Sequence, residues 1–135
     1  MSEQAAVLFA NDAFYVAFAG GDMAAMDDVW AEDAPVTCIH PGWRPIEGRE
    51  EVMASWRSIL TAPTRPQIRV QHARAHVLGT VAYVICHEIL DRGVLVATNV
   101  FVKTGNRWKM IHHQAGEAPP PDEDEDEDEP PEVVQ

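Results

Sequence analysis

The hydrophobic period of this chain changes once, at Gln67, and the change limits the folds open to it. Before Gln67, apolar residues recur at spacings of three, four and seven, which predicts amphipathic helices. After it, apolar and polar residues alternate, which predicts strands. The predicted helices cover residues 2–19, 22–30 and 49–60, a first strand covers 34–40, and four more strands cover 68–78, 81–90, 94–103 and 108–115.

Three helices followed by a four-stranded antiparallel meander form an α+β arrangement. Short turns at residues 79–80, 91–93 and 104–107 join the four strands, as antiparallel hairpins require. We expect a curved antiparallel sheet that packs on the three N-terminal helices and forms a cone whose mouth they close. A chain of 135 residues has room for one such domain, which we place at residues 1–116.

The acidity of the chain belongs to its C-terminal end. Residues 117–135 hold ten acids and no bases, whereas the preceding part holds twelve acids and ten bases. Prolines and acids with almost no apolar residues predict a disordered tail over 117–135. This tail could recruit a basic partner, mask the protein's own surface, mimic nucleic-acid charge or only aid solubility. Because the bases form no cluster, we expect no binding to nucleic acid.

The remaining composition predicts a cytoplasmic protein. Cys38 and Cys86 do not form a spaced disulfide framework, which favours a reducing compartment. The N-terminus lacks the basic region of a signal peptide. No apolar run approaches the roughly 20 residues that span a membrane, so we expect no membrane contact.

The hairpin formed by the last two strands predicts where polar groups lie inside the cone. If Val102 pairs with Lys109, alternation places Phe101 opposite Met110 and Asn99 opposite His112. An amide and an imidazole would then share one apolar face. Polar groups in that position line a pocket or are satisfied core residues.

The order of these elements resembles the nuclear transport factor 2-like superfamily over residues 4–116. The superfamily includes SnoaL-like polyketide cyclases, ketosteroid isomerase and the association domain of calcium/calmodulin-dependent kinase II. The matching motifs are Ala-Gly-Gly-Asp at 19–22, Trp-Ala-Glu-Asp-Ala at 30–34, Gly-Arg-Glu at 48–50 and Arg-Trp-Lys-Met-Ile-His at 107–112. The pattern Cys-Ile-His-Pro-Gly-Trp at 38–43 most resembles bacterial SnoaL-like proteins.

The resemblance to ketosteroid isomerase does not carry over its catalytic groups. Its tyrosine on the first helix corresponds to Phe14, which has no hydroxyl. Its protonated aspartic acid corresponds to Asn99, and the nearest match to its carboxylate base is His40, before Pro41. The resemblance therefore argues against steroid isomerisation by that mechanism.

The candidate site is built around His40, whose imidazole could act as a general base because its ordinary pKa is near neutrality. Asn99 and His112 are the groups that could polarise a carbonyl. Further side chains predicted to line the pocket are Phe14, Trp30, Cys38, Trp43, Trp56, Phe101, Met110 and Gln114. These groups suit an isomerase, cyclase or hydratase acting on a hydrophobic carbonyl compound, or binding of a small apolar molecule without chemistry. Alternatively, His40 is bonded to backbone and the tryptophans are core.

We expect no metal and no cofactor, because the histidines form no tight ligand motif. His112 and His113 are adjacent, so they would point to opposite faces, with His113 outward. Cys38 is expected to be an inert buried thiol. Glu88 and Arg92 could form an exposed ion pair, to which we assign no functional role.

A second interpretation is a non-catalytic oligomerisation or adaptor domain whose acidic tail recruits a basic partner. Both interpretations predict a homo-oligomer, at least a dimer, because helices cover only one face of the sheet. The predicted outer face carries Val100, Val102, Lys109 and Ile111. Polar groups inside the cone favour a site, whereas an adaptor needs none.

Overall fold

The structure is a computed structural model that describes residues 2–122. Its helices are α1 (Glu3–Gly20), α2 (Met23–Val29) and α3 (Arg49–Leu60), and its strands are β1 (Thr37–Ile39), β2 (Ile46–Glu47), β3 (Arg69–Leu78), β4 (Val81–Leu90), β5 (Gly93–Thr104) and β6 (Arg107–Ala118). The predicted α+β class is confirmed, with three helices and a curved, unclosed six-stranded sheet.

The helix ends follow local capping chemistry. The Ser2 hydroxyl accepts a hydrogen bond from the Ala5 N–H at 3.0 Å and begins α1. Gly21 ends α1 in the left-handed region, at a φ of 60°, where a side chain would be strained. The Asp22 carboxylate then accepts from the Ala25 N–H at 3.0 Å and caps α2.

The strands lie in the order β2-β1-β6-β5-β4-β3. The sequence predicted an antiparallel sheet, and this is wrong for one pair, because β1 runs parallel to β6. After β1 the chain passes through α3 and the strands β3, β4 and β5 before it reaches β6, which lies beside β1. Such a long crossover connection permits parallel pairing. The strand β2 was not predicted, since two residues are too few to show alternation.

The helices cover one face of the sheet, and the core lies between them. Its largest fully buried apolar side chains are Trp30, Phe14, Phe101, Met26, Met110 and Val7. Within residues 2–122 none of the helices has the length and apolar character to cross a bilayer.

The last strand continues past the predicted domain boundary. Glu117 pairs with Leu95 and Ala118 with Val94, so two residues of the segment predicted as tail belong to the sheet. The prediction of disorder from residue 123 onward concerns residues outside those that the structure describes.

Candidate functional site

Six polar side chains are buried in the fold among apolar neighbours. They are Asn11, His40, Ser55, Glu88, Asn99 and His113. Buried polar groups are costly unless they are hydrogen-bonded. Their bonds form two groups, one around His40 and one that runs from His113 to Glu88.

A β-bulge in β6 decides which histidine faces the interior. The observed pairs on β5 and β6 are Val102–Lys109, Phe101–Met110, Val100–His112 and Asn99–His113. The first two pairs confirm the predicted register, but Ile111 is an additional residue between the second and third pairs. One additional residue reverses the alternation of faces beyond it.

The predicted pairing of Asn99 with His112 is therefore wrong, and so is the outward orientation predicted for His113. His113 is 4% exposed, and its Nδ1 lies 2.6 Å from Asn99 Oδ1. His112 instead bonds Thr37 Oγ1 at 2.6 Å and Gln114 Oε1 at 3.0 Å. Gln114 was predicted to line the pocket but is exposed.

A continuous chain of hydrogen bonds leads from His113 across the interior. Asn99 Nδ2 donates to Asn11 Oδ1 at 2.8 Å and to Tyr15 Oη at 3.2 Å. Tyr15 in turn donates to Glu88 Oε2 at 2.6 Å. Burial raises the pKa of Glu88 although the bond from Tyr15 opposes this, and burial raises that of Tyr15. Burial lowers the pKa of His113 to about 3, with smaller contributions from His40 and His112, so its imidazole is neutral.

His40 is held by α3. Its Nε2 lies 2.9 Å from Ser55 Oγ, and the Ser55 hydroxyl donates to the Val52 carbonyl at 2.7 Å. Because the only hydroxyl proton of Ser55 is bonded to the Val52 carbonyl, the Ser55 oxygen can only accept in its contact with His40. His40 Nε2 therefore carries the imidazole proton and donates it to Ser55, and His40 Nδ1 keeps its lone pair. Burial lowers the pKa of His40 to about 4.

Cys38 lies beside His40, with its Sγ 3.9 Å from Nδ1 and 3.7 Å from Nε2. Burial raises the pKa of this thiol to about 12. A neutral thiol is a poor nucleophile, which agrees with the inert role that the sequence predicted for it.

Aromatic rings bring the two neutral imidazoles together. The Trp56 ring lies 4.7 Å from the His40 ring and 5.9 Å from the His113 ring, centroid to centroid. The Phe14 ring contacts two of these rings, with its centroid 5.4 Å from that of Trp56 and 4.8 Å from that of His113. Trp43 is 49% exposed and meets His40 edge to face at 4.7 Å, so it covers His40 from outside.

The indole N–H of Trp56 has no hydrogen-bond partner among residues 2–122, although Trp56 is 3% exposed. The Trp30 N–H likewise bonds no described group. The Trp56 ring, with its unbonded N–H, therefore contacts two neutral imidazoles, each of which has one nitrogen lone pair. Such a set can hold a polar group of a bound molecule.

The structure thus gathers part of the predicted set. Five of its members are buried and either belong to, or lie beside, the two imidazoles and the hydrogen-bond chain. They are Phe14, Cys38, His40, Trp56 and Asn99. Trp30, Phe101 and Met110 are fully buried core residues.

The sequence analysis missed Asn11, Tyr15, Ser55, Glu88 and His113. Asn11 and Tyr15 lie four apart on the buried stripe of α1, a spacing that places them on one face. Glu88 follows Ala82, Val84 and Cys86 in the inward alternation of β4, which could have revealed it. The predicted ion pair with Arg92 is wrong, because Glu88 is buried and accepts from Tyr15 instead.

Among residues 2–122 no group of three or more His, Cys, Asp or Glu side chains is placed to hold a metal ion.

Comparison with known proteins places this geometry in a family. A family model described as a SnoaL-like domain matches residues 7–119. A candidate dehydratase of the NTF2-like family from Streptomyces avermitilis is 32% identical, covers 86% of this chain and 96% of its own, and has a TM-score of 0.79. A candidate calcium/calmodulin-dependent protein kinase type II association domain from Thiobacillus denitrificans is 35% identical, covers 81% and 92%, and has a TM-score of 0.75.

A curated relative is much longer than the shared domain. The F-box protein SKIP8 of Arabidopsis thaliana is 29% identical over 112 residues, which is 82% of this chain and 48% of the plant protein. The chain spans about half the length of that relative.

Proposed function

The chain belongs to the SnoaL-like domain family, and on that premise we propose that it binds a small, largely apolar molecule inside the cone. Trp56, His113 and His40 hold the polar group of this molecule. The observation that carries the proposal is the Trp56 N–H, which is buried, lacks a partner among residues 2–122 and belongs to a ring that contacts two neutral imidazoles. An unsatisfied buried donor costs about 1–3 kcal/mol, and a ligand oxygen would remove this cost.

The donor and the acceptors together favour one kind of oxygen. A hydroxyl or enol oxygen can accept from the Trp56 N–H and donate to His113 Nε2, whereas a keto oxygen can only accept. The site therefore matches the enol form of a carbonyl compound better than its keto form. Preferential stabilisation of that form is what catalysis of enolisation requires.

His40 is the base in this proposal. Its Nδ1 would take a proton from the carbon next to the carbonyl, and the resulting imidazolium would pass this proton to the carbonyl oxygen to give the enol. The same nitrogen would later return the proton to another carbon in an isomerisation, or to a departing hydroxyl in a loss of water. The description of the Streptomyces relative as a candidate dehydratase supports the second possibility.

A pair of minimal probes tests the binding step. Phenol can donate and accept, whereas anisole can only accept, and both have the same apolar ring. We expect phenol to shift the Trp56 indole cross-peak in a ¹H–¹⁵N spectrum and to bind about tenfold more tightly than anisole, as one additional hydrogen bond would give.

The variant Trp56→Phe should weaken phenol binding, whereas the matched control Trp30→Phe should not. Trp30 is as buried as Trp56 and has an unbonded N–H, but no ring contact places it beside either imidazole. Equal affinities for phenol in the two variants would refute the proposal.

A second candidate function is assembly through the outer face of the sheet. This face carries Tyr83, Ile85, Ile89, Val94, Val96, Val100 and Val102, as the register on β4 and β5 shows. Ile85 is 41% and Val81 38% exposed. Partly exposed apolar surface can mark an interaction site. The similarity to an association domain supports the candidate.

Sedimentation velocity tests this surface. The variant Ile85→Glu should shift the protein toward monomer, because it would bury a charge in the interface. The control Val16→Glu changes a 61% exposed residue on α1 and should leave the sedimentation coefficient unchanged. If Ile85→Glu sediments like the original protein, the sheet face is not the interface.

A basic partner for the acidic run that begins at Asp122 remains a proposal, since most of that run lies outside the described residues.

A further inference from the structure

We propose that Glu88 sets the direction of the hydrogen-bond chain through Tyr15 and Asn99, and thereby presents the lone pair of His113 Nε2, not an N–H, to the ligand. Glu88 is a positioning residue in this inference, which rests on the proposed ligand site. It lies at the far end of the chain, on β4, and reaches His113 through two intermediate side chains.

The first step is forced by the single proton of Tyr15. Its hydroxyl donates to Glu88 Oε2 at 2.6 Å. A carboxylate can only accept hydrogen bonds, so this proton is committed to Glu88. The Tyr15 oxygen can then only accept in its contact with Asn99, which lies 3.2 Å away.

The second step is forced by the two ends of the Asn99 amide. Because Tyr15 must receive a proton, the Nδ2 end of Asn99 faces it. Asn11 Oδ1 accepts the second Nδ2 proton at 2.8 Å, which holds the same orientation. The Oδ1 end is therefore left to face His113.

The third step fixes the tautomer of His113. Asn99 Oδ1 lies 2.6 Å from Nδ1 and can only accept, so Nδ1 carries the proton. A neutral imidazole has one N–H and one lone pair, and Nε2 consequently has the lone pair. The ring packs against Phe14 and Trp56, where the proposed ligand lies.

Removing the acceptor at position 88 should reverse the chain. In Glu88→Met the Tyr15 proton has no carboxyl to bond and can be donated to Asn99. Asn99 and Asn11 would then turn their amides together, so that Asn11 donates to Asn99 Oδ1 and Asn99 donates to His113 Nδ1, which moves the imidazole proton to Nε2. In Glu88→Gln the amide oxygen can still accept from Tyr15, so the original direction should persist.

The test is the pair of ring ¹⁵N shifts of His113 in the ligand-free protein, assigned by their loss in His113→Gln. We expect a protonated Nδ1 in the original protein, in Glu88→Gln and in the exposed control Glu51→Met, and a protonated Nε2 in Glu88→Met. An unchanged tautomer in Glu88→Met would overturn the inference. If Glu88→Met does not fold, Tyr15→Phe is measured in its place and should give a mixture of both His113 tautomers. A His113 ring protonated only at Nδ1 in Tyr15→Phe would also overturn the inference.

Ligand binding separates this inference from the proposed function. In Glu88→Met, phenol should lose about tenfold in affinity because its acceptor has become a donor, whereas anisole should not. Failure of phenol to bind the original protein, with the expected tautomer present, would refute only the ligand site. Normal binding with an unchanged tautomer in Glu88→Met would refute only the role of Glu88.

Discussion

Asn99 and His113 lie directly opposite each other on β5 and β6, and their side chains meet at 2.6 Å inside the cone. This contact depends on Ile111, the additional residue of the bulge, because without a shift Asn99 would face His112. It connects the His113 imidazole to the chain that ends at Glu88.

Deletion of Ile111 should be tolerated. It would leave Met110 followed by His112 and restore regular alternation, with Asn99 still opposite His113. We expect a loss of about 1 kcal/mol in the free energy of unfolding, which is typical of a single change, measured by urea denaturation.

Deletion of Gln114 is the matched control. It would turn the buried Ala115 outward and should cost considerably more. If the two deletions destabilise the protein equally, the bulge does not act as an independent insertion.

Replacement of Asn99 by leucine should destabilise the fold strongly. It would remove the partner of Asn11 Oδ1 and the partner of the His113 N–H, at about 1–3 kcal/mol for each buried group. Chemical denaturation of Asn99→Leu, compared with Thr98→Val on the opposite face of β5, checks this. A loss no greater than that of Thr98→Val would contradict the network.

Arg65 connects the C-terminal ends of α1 and α3. Its guanidinium donates to the carbonyls of Phe18, Ala19 and Leu60 at 3.1–3.3 Å. We expect Arg65→Met to lower the free energy of unfolding by about 1–3 kcal/mol, as hydrogen bonds to charged groups suggest. The control Arg57→Met changes an exposed side chain of α3 and should have little effect, so similar melting temperatures for both variants would argue against this role.

Glu88→Gln should change how stability depends on pH. Burial raises the folded-state pKa of Glu88 above its ordinary value of 4.5, so its stabilising contribution is complete below that value and is lost as pH rises through the folded pKa. Glutamine does not ionise. The variant should therefore gain stability over the original protein as pH increases from about 4.5 toward neutrality, in urea unfolding at several pH values. A difference that is constant with pH would be inconsistent with this burial effect.

His40 should make the protein less stable in mild acid. Its pKa of about 4 in the folded state lies below the ordinary 6.5, so the unfolded chain takes up a proton first. The contribution of His40 to stability is complete above 6.5 and falls by about 1.4 kcal/mol per pH unit between 6.5 and 4. His40→Gln should lose this part of the slope, and an identical slope in the variant would show that His40 is not the group responsible.

Local patterns were sufficient for most elements. The spacing of apolar residues predicted α1, α2 and α3, and Asp22 and Gly21 mark helix ends through bonds to residues three to five positions away. The turn at 105–106 set the first pairs of the last hairpin. These features depend on contacts between near neighbours in the chain, so they are visible in the sequence.

The site depended on contacts that no local pattern contains. Tyr15 and Glu88 are 73 positions apart, and Asn99 and Asn11 are 88 apart. Alternation assigned the faces of β6 correctly up to Met110 and wrongly at His112 and His113, because a bulge shifts the register without a distinctive residue. Near-neighbour contacts specify helices, turns and the period of a strand, whereas the identity of the buried histidine follows from how whole strands align in the folded sheet.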